Sequence, residues 1–226
     1  MGVANREYYR RNLPHWHPKG RIFFITFRLA HSIPAHIVEV LETENEQERR
    51  KIMCQFNGDL QQRELYNLEK KFFNRFDSVL DHCDDISPKW LALEHIAQIV
   101  AEQIKILDGV RYKLLAYCIM SNHVHLLVST IDVQASDASQ HAGPTSSYPL
   151  ADTLKLIKGR TARYCNQSLS RSGAFWQHES YDHVVRDASE FQRILWYILN
   201  NPVKANLVKN WDDWPFSYCV EQILCN

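Results

Sequence analysis

The chain has 226 residues, enough for one large domain, or a domain carrying an insertion, with a core of its own. No apolar run reaches transmembrane length, and the first thirty residues lack the long apolar stretch of a signal peptide, so a membrane-spanning helix and a secreted product are both excluded as expectations. Six cysteines without C-x-x-C spacing argue for packing thiols in a cytoplasmic protein, against a disulfide frame or a cysteine zinc site.

The net charge of zero hides an asymmetry. Residues 36 to 87 carry twelve acids against seven bases, which leaves the remainder with a net charge of +5. An acidic segment set into a basic body leaves room for a polyanion-binding face.

Residues 6 to 20 interleave Arg6, Arg10 and Arg11 with Tyr8, Tyr9 and Trp16, a mixture suited to backbone contacts and base stacking. His15-Trp16-His17 lies between two prolines and outside any strand signal, which weakens it as a metal pair. Residues 21 to 30, rich in β-branched and aromatic side chains, predict a first strand. Residues 34 to 87 read as a helical insertion with a break near Asn57-Gly58. Ser87-Pro88 offers a helix start, Leu93, Ile96, Ala97, Val100, Ile104 and Leu107 share one helical face, and Asp108-Gly109 ends it.

Residues 112 to 129 form two apolar runs around Ser121-Asn122, the pattern of a β-hairpin. Alternation across the second strand places His123, His125 and Leu127 on one face, where two imidazoles can present nitrogens to one ion. Residues 131 to 149 read as a flexible loop. A helix is predicted from 151 to 168, with Leu154, Ile157, Thr161 and Tyr164 inward. Its bases Lys155, Lys158, Arg160 and Arg163 could follow a phosphate chain. Residues 175 to 185 predict a last strand, with Trp176, Tyr181 and His183 as alternative site-lining residues, Trp176 fitting the core equally well. Asp187 to Glu190 is a capping box opening a helix that runs through Tyr197 towards Asn200-Asn201-Pro202. On that helix Tyr197 and Asn201 stand one turn apart on one face.

The order strand, helix, strand, strand, helix, strand, helix predicts an α+β fold. It is a ferredoxin-like split βαβ antiparallel sheet with the histidines on a central strand and a further C-terminal helix. The chain is expected to form a single domain over 1–226 that carries the helical insertion.

Three segments carry a specific resemblance: residues 120–128 (MSNHVHLLV), 175–183 (FWQHESYDH) and 197–204 (YILNNPVK). With residues 6–15 and Trp214-Pro-Phe-Ser217, they resemble REP-associated tyrosine transposases, relatives of the single-tyrosine HUH transposases. The resemblance implies His123 and His125 as the metal-binding pair, Asn201 as third ligand and Tyr197 as nucleophile. It further implies Mg2+ or Mn2+ as cofactor and single-stranded DNA bearing REP-like hairpins as substrate. Cleavage at the hairpin foot would pass through a 5′-phosphotyrosine, carried out by a monomer or homodimer. Two imidazoles also tolerate cobalt or zinc. Two rivals remain at this stage: a metal-dependent phosphodiesterase that uses water, and a nucleic-acid-binding module without catalysis.

Overall fold

The computed structural model describes residues 8–10, 14–16, 20–82, 87–131 and 150–224. The expected loop at 132–149 and the side chains of Arg6, Arg10 and Arg11 lie outside the described residues. The chain divides into two compact units, Met1–Leu29 with Lys89–Asn226, and Ala30–Pro88. Strands β1 (Tyr8–Arg10) and β2 (Pro14–Trp16) pair antiparallel, so His15 lies in a strand, where the sequence signalled none. Strand β3 is Ile22–Arg28. The smaller unit holds α1 (Ala35–Gln55) and α2 (Gly58–Asp81), separated where Asn57-Gly58 predicted a break. Gly58 has φ of 58°, the left-handed region that glycine enters without a Cβ penalty. The two helices fold back on each other, with Arg75 on Glu44 at 2.5 Å.

In the larger unit a 3-10 turn (Trp90–Ala92) precedes α3 (Glu94–Ile106), so the helix begins at Glu94, after the expected Ser87-Pro88 start. Leu93 precedes it without a side-chain cap. Strands β4 (Lys113–Ile119) and β5 (His123–Ser129) form the predicted hairpin, closed by Met120 N–H donating to His123 O at 2.9 Å. Helix α4 spans Leu150–Ser168. The predicted last strand shortens to β6 (Tyr181–Val184), because Phe175–Ser180 runs irregularly over α4. Helices α5 (Ala188–Leu199) and α6 (Asn201–Lys204) meet at Asn200. Pro202 has no N–H to continue the first helix, hence the break. A short strand β7 (Ser217–Cys219) and α7 (Glu221–Leu224) complete the unit.

The main sheet is antiparallel with order β6-β3-β5-β4-β7. Without the terminal β7 this is the split βαβ order, with the first strand and the histidine strand at the centre. Edge strand β7 is absent from the sequence reading; three residues are too short for a periodicity signal. The sheet divides the unit into two layers. Phe23, Ile25, Phe27, Val124, Leu126 and Val128 face α3 and α4 in one buried core. The opposite face carries Phe24, Thr26, Arg28, His123, His125 and Leu127, with α5 packed over β4, β5 and β7. Tyr164 was expected inward on α4 but is 43% exposed, and Cys165 fills that core position.

Candidate active site

The candidate site is built on the sheet face beneath α5. Strand alternation brings His123 and His125 to that face, and both are buried, 1% and 0% exposed. Their Nε2 atoms approach to 3.0 Å. Each ring is held by its other nitrogen, His123 Nδ1 at 2.6 Å from Asn122 Oδ1 and His125 Nδ1 at 2.8 Å from Thr26 Oγ1. With the Asn122 amide oxygen facing it, Nδ1 of His123 donates, and in the neutral ring Nε2 is left with a lone pair. Thr26, cross-strand from His125, can set the same tautomer there by accepting from Nδ1. With both rings neutral in that tautomer, two lone pairs face each other across 3.0 Å, an arrangement that a cation between them would relieve.

Asn201 comes from the start of α6 and is 1% exposed. Its Nδ2 lies 3.2 Å from His125 Nε2, while its Oδ1 is buried without a hydrogen-bond partner. A half-turn of the amide exchanges the two atoms. The donor set of two imidazoles and one amide oxygen therefore fits a divalent cation, and the orphaned oxygen is the observation that tests the fit.

Tyr197 lies one helical turn before Asn201 on α5 and is half-buried. Its ring centroid is 5.4 Å from that of His125 and 6.0 Å from Phe24. Phe24 also stacks on His125 at 5.7 Å, so one aromatic side chain braces both. The helix is seated by its first turn. Asp187 Oδ1 accepts from Glu190 N–H at 2.8 Å, as the capping box predicts. The second arm differs, because Glu190 Oε2 accepts from Arg186 N–H and Oε1 lies 3.2 Å from His183 Nε2. His183 is thereby tied to Glu190 at the edge of the site face, cross-strand from Phe24. Tyr181 pairs with Thr26 in register, its ring 6.1 Å from that of Phe24.

Trp176 does not line this site. It packs on Phe27 at 4.8 Å, in the core on the other side of the sheet, and its Nε1–H donates to Thr161 Oγ1 at 2.8 Å. Lys158 is likewise committed elsewhere, its ammonium donating to Gln177 O, His178 O and Ser180 Oγ and holding down the segment that replaces the expected strand. Lys155, Arg160 and Arg163 are exposed on α4, in the layer opposite the histidine face, and Lys155 pairs with Asp152 at 3.5 Å. Sequence reasoning missed Thr26, Asn122, Phe24 and Glu190. Thr26 is the one legible by alternation, a polar residue inside an apolar strand with the parity of the site face.

Two curated proteins resemble the chain. A Haemophilus influenzae protein provisionally named a REP-associated tyrosine transposase is 29% identical over 106 residues, 47% of this chain and 58% of that protein. An Escherichia coli K12 REP-associated tyrosine transposase is 40% identical over 42 residues, 19% of this chain and 26% of that protein. The chain is similar to REP-associated tyrosine transposases. It spans 58% and 26% of the lengths of these two REP-associated tyrosine transposases. A solved REP-associated tyrosine transposase bound to a REP hairpin aligns with a TM-score of 0.49 and 17% identity, over 92% of this chain and 80% of that one. No family model matches the chain. Among the described residues, no helix is long and apolar enough to cross a membrane.

Proposed function

We propose that the chain is a DNA nicking and joining enzyme of the transposase type, with Tyr197 as nucleophile. The observation that carries this reading is the meeting of three groups on one sheet face: Tyr197 beside His125, the facing imidazoles, and an orphaned amide oxygen at the start of the helix that follows the tyrosine's own. His123, His125 and Asn201 would hold a divalent ion, Mg2+ or Mn2+ in this reading. A bound ion supplies Lewis-acid stabilisation of charge on a phosphate oxygen.

The chain's own residues do the rest. The Tyr197 Oη–phosphorus bond forms as the P–O3′ bond breaks. The phenol loses its proton and the departing 3′ oxygen gains one. The products are a 5′-phosphotyrosine and a free 3′-hydroxyl, and the reverse attack rejoins a strand. An unperturbed phenol titrates near 10, so its activation depends on the charge at the site. Phe24 limits the room around the tyrosine ring and so its orientation.

Single-stranded DNA beside a hairpin is the proposed substrate, in keeping with the REP association in the relatives' names. The test uses labelled hairpin DNAs with varied feet, Mg2+ or Mn2+, and denaturing electrophoresis. We expect a covalent protein–DNA band that needs the metal and is absent in Tyr197→Phe and His123→Ala. Metal-dependent nicking that survives Tyr197→Phe would overturn the covalent step in favour of water as nucleophile. Tight binding with no product from any foot would leave a binding module.

A further inference from the structure

Helix α5 presents a second face beside the one that carries Tyr197. At 3.6 residues per turn, Ser189, Arg193, Trp196 and Asn200 fall within about 60° of one another. All four are exposed. Trp196 is 45% exposed and makes no ring contact among the described residues. Other tryptophans of this unit are used internally. Trp176 bonds Thr161, Trp90 stacks on Phe175 with the Arg171 guanidinium 3.8 Å over its ring, and Trp214 Nε1–H donates to Ile119 O. Trp196 therefore leaves a large apolar ring in water at a position where a small polar residue would serve the helix better.

Its surroundings state what would cover it. Arg193, held along the helix by a bond to Ser189 Oγ at 2.7 Å, lies one turn before it. Lys204 is exposed one turn beyond Asn200, whose carbonyl accepts from Lys204 N–H at 2.9 Å. A cation beside a flat aromatic surface complements a polyanion with unstacked bases. The next residue in the chain is Tyr197, and consecutive Cα atoms are about 3.8 Å apart. The indole therefore stands about 100° around α5 from the phenol, on the face that a strand leaving Tyr197 in that direction would meet.

We propose that Trp196, with Arg193 one turn before it, is a stacking platform for an unpaired base next to the phosphodiester that Tyr197 attacks. This deepens the function proposed above and rests on it. Stacking accepts any base, so the platform supplies affinity for single strands without choosing sequence.

The test measures binding of fluorescein-labelled DNA hairpins by the full chain, by anisotropy, with EDTA present so that nothing is cut. One hairpin carries a randomised single-stranded tail, one an abasic tail and one no tail. Trp196→Ala should weaken binding of the randomised tail about tenfold, as expected for the loss of one stacked base. Trp196→Phe should restore most of it. The abasic and tailless hairpins should bind wild type and Trp196→Ala equally. Arg193→Ala should reduce the dependence on salt, which a purely packing role would leave unchanged. Unaltered thermal midpoints would establish that each variant is folded. Equal binding of the randomised tail by wild type and Trp196→Ala overturns the platform. If the Tyr197-dependent covalent band persists in that case, the proposed function stands without it. Failure of the wild type to prefer the base-bearing tail over the abasic one overturns the platform as well.

Discussion

At the scale of single residues, the site depends on atoms that face away from it. Asn122 and Thr26 hold the Nδ1 atoms of the two histidines, so the Nε2 lone pairs stay aimed at one point. Partners of this kind typically set metal affinity by one to two orders of magnitude. Thr26→Val, close in shape but without the hydroxyl, should lower Mn2+ affinity roughly tenfold to a hundredfold. Titration followed by electron paramagnetic resonance reads this without any DNA. Asn201→Ala should weaken binding to a similar degree, whereas Trp176→Phe should leave the ion's affinity untouched, since its indole lies in the other layer.

At the scale of elements, α5 is fastened at its first turn. Replacing the cap, Asp187→Ala, should cost about 1 kcal/mol of stability. Glu190→Ala should cost more, about 2 kcal/mol, because it strands the Arg186 amide and the His183 imidazole together. Urea unfolding with both variants checks the order. The hairpin, the cap at Asp187 and the Tyr197–Asn201 spacing were legible in the sequence because each is a pattern of residues close together along the chain. Trp176 and Lys158 were not. An aromatic run such as Phe175-Trp176 does not record which side of a sheet it joins, and a lysine's neighbours do not record that three loop oxygens will meet its ammonium. Tyr164 failed for a related reason. One helical position of drift exchanges an inward residue for an outward one, and Cys165 took the core place.

At the scale of the molecule, ionisable groups in the larger unit make it sensitive to alkali. Burial pushes the Cys165 thiol from 9.0 up to about 12. Burial does the same to Cys219, up to about 11, and, with the neighbouring Tyr218 and Cys118, to Tyr117, up to about 12. Burial, aided by Asp108, drives the Tyr112 phenol still higher. Above pH 9 the unfolded chain releases protons that the folded chain retains, so stability falls as pH rises. The urea midpoint should hold below about pH 8 and decline steadily between pH 9 and 12. A midpoint constant over that window would contradict the packing described for Cys165 and Tyr117.

Tyr197 stands in the last turn of α5 and Asn201 opens α6, joined through Asn200. In the proposed function, a shift of this junction that withdraws the phenol would also disturb the amide, which couples the proposed attacking group to the proposed ion-holding one. Under that proposal the arrangement would work as an interlock: a loosened junction would give an inert protein instead of a held ion with no tyrosine beside it, and so would guard DNA against stray hydrolysis.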